Sequence, residues 1–512
     1  KDNLKDHQLV LVGIHGLGIR EGNNNFGLSP EMVTLLRSLI ESHTVIVSVF
    51  GNVYSLGKIQ GLENAAGVIA AYQETSLTQD LTSQLIFGGI GASGKLPVTI
   101  NKFFSRGDGL KLDGGIRMAY TLPEGVGMTS SDLDGIDSMM QMAIKIKAIP
   151  GGQVLMAKEG KVFYHKAFGY HTYDSLQEVR VDDLYDLASI TKISTSLAAF
   201  MHLKGKGKFD ENQTLGHYLK AARGTNKEHL VYKDILTHQA RLRSWIPFWM
   251  STVRKNGSFK WYTMKMDSSR RFPIKVADKL FIHRKYERKI YKEIFSSPLN
   301  AEPGYVYSDL SFILAPKVVE EITGEGFYAY LKENLYRPIG AGTLTFNPYL
   351  NFEMDRIVPT EYDSAFRKQL LHGTVHDEGA AMLGGVSGHA GLFGTSNDLA
   401  KLMHLYLYDG LYAKCVFCEE GNYRGMGFDR ANKPGDPNGN AAPSASEKSF
   451  GHSGFTGTYT WIDPENEIVY VFLSNRVNPS RENRNIYKLN IRTNIMEEVY
   501  KAMEKAKLRD QR

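Results

Sequence analysis

LYDLASITKISTSLAAFM, residues 184–201, decides how this chain is read. A helix that opens at Ser189 carries Lys192 one turn later on the same face, so one short element can bring a hydroxyl and an ammonium together. Burial and a second cation nearby would lower the lysine pKa until its neutral amine takes the Ser189 proton. The helix N-terminus adds N–H groups with no partner inside the helix, which favour a developing oxyanion. The same residues also suit an N-capping serine with a solvated lysine, so the decision rests on the rest of the chain.

Two later stretches supply the missing chemistry. Tyr307-Ser308-Asp309 follows the Pro303-Gly304 turn and precedes an apolar run from Leu310, which sets a phenol and a carboxylate at a loop-to-helix junction. His452-Ser453-Gly454 precedes Phe455 and a β-rich run to Asp463, which a strand over 468–474 can pair across the Pro464-Glu465-Asn466 turn. The order Ser-x-x-Lys, Tyr-x-Asp, His-x-Gly resembles the three motifs of the serine β-lactamase and penicillin-binding-protein superfamily. The tyrosine in the second motif is similar to that of class C β-lactamases, D-aminopeptidases, D,D-peptidases and related esterases. ILTHQARL (235–242) and GVSGHAGLFGTSNDLA (385–400) resemble two more segments of the same domain, so the likeness spans about residues 130 to 505.

This resemblance implies an α+β domain, an antiparallel sheet flanked by helices with a helical region. It implies Ser189 as a nucleophile forming an acyl-enzyme, with Lys192 and Tyr307 sharing general acid and base work. His452 would hold the proton state of Tyr307 or bind a substrate carboxylate, and Asp309 would orient Lys192 and a substrate amide. Ser453, Gly454 and Phe455 would contact substrate, and the oxyanion would lie between the N–H groups of Ser189 and Phe455. No cofactor or metal is implied. Two departures stand out. Arg241 replaces a usual glycine, so the turn there should differ. His452 replaces the lysine of Lys-Thr-Gly; since histidine titrates near neutrality, small esters or D-amino-acid amides are expected to be better substrates than anionic β-lactams.

A chain of 512 residues suggests two domains. Its 42% hydrophobic and 23% charged residues are those of a soluble globular protein, and no stretch approaches the roughly 18 uninterrupted apolar residues of a membrane span. A net charge of +6, spread over so large a surface, does not argue for nucleic-acid binding. The chain opens at Lys1 and enters an apolar strand almost at once, so a targeting segment and an upstream domain are expected to have been removed, with a periplasmic or secreted location. Cys415 and Cys418 lack the second ligand pair of a zinc site and read as an incidental pair or a local disulfide.

Residues 1–126 read as a small α/β layer with a mostly parallel sheet: strands at 9–14 and 45–50, a helix at 30–42, and helices at 65–72 and 78–87 around a further strand. VFGNVYSL (49–56) and QLIFGGIGASGKLPVTI (84–100) resemble the α/β-sandwich domain of family 3 glycoside hydrolases, including the β-N-acetylglucosaminidase branch. The catalytic barrel of that family is absent, so this domain is expected to be an accessory part with no catalytic residue. A glycine-rich linker over 122–131 separates it from residues 127–512. Inside the second domain, 154–170 reads as a hairpin turning at Glu159-Gly160. Residues 254–292 are basic and aromatic and read as a wall or lid of the cleft, able to bind a sugar chain or nucleic acid, or as a solvated face. His372, His376, Asp377 and His389 match no metal spacing and read as cleft-shaping loop. The expected function is a serine hydrolase acting on an ester, a D-amino-acid amide or a peptidoglycan-derived muropeptide, without nucleic-acid partners. The alternatives are a fragment of a family 3 glycosidase and a non-catalytic cell-wall-binding module.

Overall fold

The computed structural model describes residues 4–408, 425–431 and 440–511; the cysteine pair lies outside them. The chain divides into two compact units, 1–120 and 121–512. The division comes ahead of the expected boundary at 126. Thr121 N–H already donates to Val162 O at 2.8 Å, and Pro123–Val126 forms a short 3-10 turn.

In the first unit, β1 (Leu9–Ile14), β2 (Thr44–Val49) and β3 (Gly67–Ala70) form a parallel sheet in that order. Helix α1 (Pro30–Ser42) starts as its sequence dictates: the Ser29 hydroxyl accepts from Met32 N–H, with Pro30 in the first turn. Helix α2 (Ser76–Ile86) is capped by Thr75 in a reciprocal box with Thr78. Val45, Val47 and Val49 are buried against Leu36 and Leu39 of α1. The helix expected over 65–72 is instead β3. Its alanines favour a helix, but β-branched Val68 and Ile69 pair with Val47 and Ser48 along the open edge of β2, and tertiary pairing overrides local propensity.

The second unit is built on antiparallel strands. β4 (Gly151–Lys158) and β5 (Lys161–Gly169) make the expected hairpin, with Glu159 and Gly160 both at positive φ as a two-residue turn of this hand requires. β6 (Asp429–Arg430), β7 (Phe450–Ser453), β8 (Tyr459–Asp463) and β9 (Ile468–Ser474) complete the order β6-β7-β8-β9-β4-β5. Alternation assigns the two faces. Trp461, Tyr470 and Met156 stand in register on one face, where α3 (Asp134–Lys145) and the C-terminal helix α7 (Ile491–Asp510) cover them with Ile136, Met140, Ile495 and Val499. Met140 is fully buried there whereas Met142 is exposed, so α3 turns one face to the core and the other to solvent. A helical region holds α4 (Ala198–Gly205) and α5 (Leu310–Thr323), and α6 (Ser396–Tyr408) packs against β9. The α+β expectation therefore holds.

Candidate active site

Ser189 stands on a tight turn between the short strand Tyr185–Asp186 and a helix whose first turns are unusual: a π-helical stretch, Lys192–Leu197, runs directly into α4. Every residue of that stretch is buried. Ala188 holds φ +47°, a conformation a non-glycine residue adopts only when its surroundings impose it. The imposing group is Asp186. One of its carboxylate oxygens accepts from Ala188 N–H at 2.8 Å and the other from His376 N–H at 2.7 Å. Thr458 Oγ1 donates to Leu187 O at 3.0 Å, so the β7–β8 turn clamps the nucleophile turn from the other side. This explains the glycine of His-Ser-Gly: a Cβ on Gly454 would sit 2.7 Å from Leu187 O.

The expected side chains converge on Ser189. Lys192 Nζ donates to Ser189 Oγ at 2.9 Å, to His389 O at 3.1 Å, and lies 2.7 Å from Asp309 Oδ1. Tyr307 OH donates to Ser189 Oγ at 3.1 Å. The surroundings of Lys192 differ from those expected. Burial pulls the Lys192 pKa down, but the Asp309 carboxylate pulls it up and outweighs burial, so it stands above the ordinary lysine value. A carboxylate, rather than a second cation, is the charged neighbour. Burial also raises the Tyr307 pKa, and Lys192 only partly offsets this. Both directions favour an ammonium beside a phenol at neutral pH, each donating to Ser189 Oγ, which leaves the serine's own proton to point elsewhere.

The other expected residues divide by position. Asp309 precedes α5 and, with Phe455, lines a cleft of about 370 Å³ that opens on Ser189 and Tyr307. The N–H groups of Ser189 and Phe455 donate to no acceptor among the described residues, as an oxyanion site requires. His452 is buried beneath Tyr307, its ring centroid 6.2 Å from the phenol ring and Nδ1 2.8 Å from Ser453 O. That position suits contact with Tyr307 rather than with a substrate carboxylate. Ser453 pairs with Tyr459 inside the sheet and Gly454 packs on Leu187; neither lines the cleft.

Further residues, not named among the catalytic or binding groups, shape the site. His238, inside the ILTHQARL stretch, accepts from Ser308 N–H at 3.0 Å, and its ring packs tilted against Tyr307 with centroids 4.6 Å apart, fixing the phenol. Arg241 holds φ +58°, a left-handed conformation that glycine adopts most readily; its guanidinium donates to Asn300 O and Ala301 O at 2.8 Å and braces the loop before Tyr307. His389 bridges Ser387 Oγ and Asp377 Oδ1, both at 2.8 Å, in the cleft wall. Burial would raise the Asp377 pKa, but His389 holds it well below the usual carboxylate range. His376 pairs with Glu361 at 2.7 Å and His372 bonds Ile357 O at 2.7 Å, so these histidines belong to separate loop networks. The cleft wall expected from 254–292 comes from just upstream, from Trp245 and Trp249.

Comparison with known proteins follows the same lines. A family model described as Beta-lactamase matches residues 136–493. A protein of Escherichia coli O157:H7 named "Putative D-alanyl-D-alanine carboxypeptidase" is 29% identical over 388 residues, covering 69% of this chain and 84% of its own. Among solved structures, a class C β-lactamase superposes with TM-score 0.52 at 15% identity, covering 72% of this chain and 98% of its own. EstCE1, a hydrolase with promiscuous acyltransferase activity, gives TM-score 0.51 at 19% identity, over 72% of this chain and 99% of its own.

Proposed function

We propose, on the premise that this chain belongs to the β-lactamase family of serine hydrolases, that Ser189 forms an acyl-enzyme with a D-alanyl amide of a peptidoglycan-derived peptide or with a small ester. The observation that carries this reading is the double approach to one oxygen: Lys192 Nζ at 2.9 Å and Tyr307 OH at 3.1 Å from Ser189 Oγ.

The charges suggest how the step runs. With Lys192 held as an ammonium, the proton that must leave before attack is that of Tyr307, released to bulk solvent through the open cleft. The resulting phenolate, beside the ammonium, takes the Ser189 proton as Oγ attacks the carbonyl. The Ser189 and Phe455 N–H groups receive the oxyanion. Tyr307 then returns its proton to the leaving nitrogen or oxygen, and the mirrored sequence with water releases the acid. Lys192 stays charged throughout and stabilises the phenolate; Asp309 fixes that charge, and His452 packs against the phenol from below.

The carboxypeptidase name of the relative supports a cell-wall amide, and with it a periplasmic or secreted location. The histidine at 452, in place of a fixed cation, favours substrates without a required anionic group. The parallel α/β unit over 1–120 is read as an accessory domain of family 3 glycosidase type without a catalytic role. The test compares kcat/KM for an aryl ester, a D-alanyl amide and a chromogenic cephalosporin. The ester or the amide should be turned over fastest; a preference for the cephalosporin would overturn the substrate reading.

A further inference from the structure

Residues 254–292 hold thirteen Lys and Arg against three Asp and Glu, an excess of ten positive charges in a chain whose net charge is +6. The positive charge is thus concentrated in one segment, and the rest of the chain is net negative. The exposed Lys255, Lys265, Arg270, Arg271, Arg284 and Lys285 make no ion pair among the described residues. Apolar side chains stand among them with their bodies in water. Trp261 is 66% exposed, Tyr262 54% and Met266 57%, although each belongs to a residue type normally drawn inward.

These groups are held as one surface. Thr263 and Met264 are buried and pin the chain between the exposed Trp261-Tyr262 pair, whose rings meet edge to face at 5.8 Å, and the exposed run 265–271. Lys265 pairs with Phe281 in a small antiparallel sheet, and Arg284 N–H donates to Arg271 O at 3.0 Å, which sets Arg284 and Lys285 beside Arg270 and Arg271. Upstream, Met250 is 53% exposed and Trp245, at the cleft, 49%.

We propose that this surface docks the protein peripherally on an anionic phospholipid membrane, beside the mouth of the Ser189 cleft. Indole and phenol rings settle at the boundary between headgroups and acyl chains, and unpaired cations meet phosphate above it. An anionic glycan would use the cations and stack on flat rings, but it offers nothing to Met250 and Met266, whereas acyl chains do. The contact proposed is made by side chains at a surface and reaches no deeper than the headgroup boundary.

The full chain is sedimented with phosphatidylcholine vesicles, with and without phosphatidylglycerol, at low and high salt. Binding is expected only with phosphatidylglycerol and weaker at high salt, with a blue shift of tryptophan emission that Trp261→Phe abolishes. Arg270→Ala with Arg271→Ala should weaken partitioning by about 25-fold, roughly fivefold for each cation removed. Arg284→Ala with Lys285→Ala, on another loop, should act similarly, and Met266→Ser should weaken binding without changing its salt dependence. All variants should keep aryl-ester turnover in solution, which certifies the fold. The proposal fails if the protein ignores phosphatidylglycerol vesicles, if both charge pairs leave binding unchanged, or if it binds purified peptidoglycan or DNA and not vesicles.

Discussion

Replacing Asp309 by asparagine removes the carboxylate 2.7 Å from Lys192 Nζ and keeps a neutral acceptor in its place. At that distance the attraction is about 6 kcal/mol for an effective dielectric constant of about 20. Part of it only offsets the cost of burying the ammonium, whose side chain is 1% exposed. Removing one partner of a buried pair costs about 3–5 kcal/mol; because the Asp309 side chain is 21% exposed and reaches water, the lower end, about 3 kcal/mol, is expected at neutral pH. The sign with pH follows from linkage. In the unmodified protein the Lys192 pKa is raised on folding, so its contribution is complete below the unfolded lysine value and is lost as pH rises through the folded one. In Asp309→Asn, burial dominates and the folded pKa drops below the unfolded one, so the variant regains stability as pH rises. The difference between the two proteins is therefore large at about pH 7 and shrinks towards about pH 10.5. Urea unfolding read by tryptophan fluorescence measures it in the correct unit, since all four tryptophans lie beyond residue 120. Asp309 raises Lys192 and Tyr307 alike, so the rise of kcat/KM with pH should also move to lower pH. A loss below about 0.5 kcal/mol, or one equal at both pH values, would refute the charged-lysine assignment.

Tyr307→Phe keeps the ring on His238 but removes the proton carrier, and should lower kcat by about 10²- to 10⁴-fold with little change in KM on an activated ester. In the unmodified protein kcat/KM should climb from neutral into alkaline pH, because the base form of a site with raised Tyr307 and Lys192 pKa values accumulates only there; a flat profile would contradict this. Gly454→Ala drives a methyl into Leu187 O and should cut kcat at least about tenfold through the nucleophile turn, or cost about 1–3 kcal/mol of stability if the turn resists. Circular dichroism and ester kinetics separate the two outcomes.

Much of the second unit could be read from sequence because its signals are local. Glu159-Gly160 dictates a hairpin turn, Pro303-Gly304 ends a loop before α5, and the three motifs name their own reactive groups. What escaped depends on approach in space. That Asp309 reaches Lys192 follows from the resemblance, but that it stands 2.7 Å from the ammonium as its charged neighbour, in place of a second cation, is set by approach in space and no spacing rule reveals it. Asp186 reads as an ordinary strand residue until its carboxylate is seen to hold Ala188 and His376 together. The segment 65–72 was misjudged because alanine content speaks for a helix while the partner that selects a strand, β2, acts through backbone pairing.

Covalent capture tests the central claim most directly. The full chain is incubated with a fluorophosphonate or a slowly deacylating D-alanyl ester, quenched, and measured by intact mass and peptide mapping. One adduct is expected, on the peptide containing Ser189, absent in Ser189→Ala and formed far more slowly in Tyr307→Phe. An adduct on another residue, or equal labelling of Ser189→Ala, would contradict Ser189 as the nucleophile.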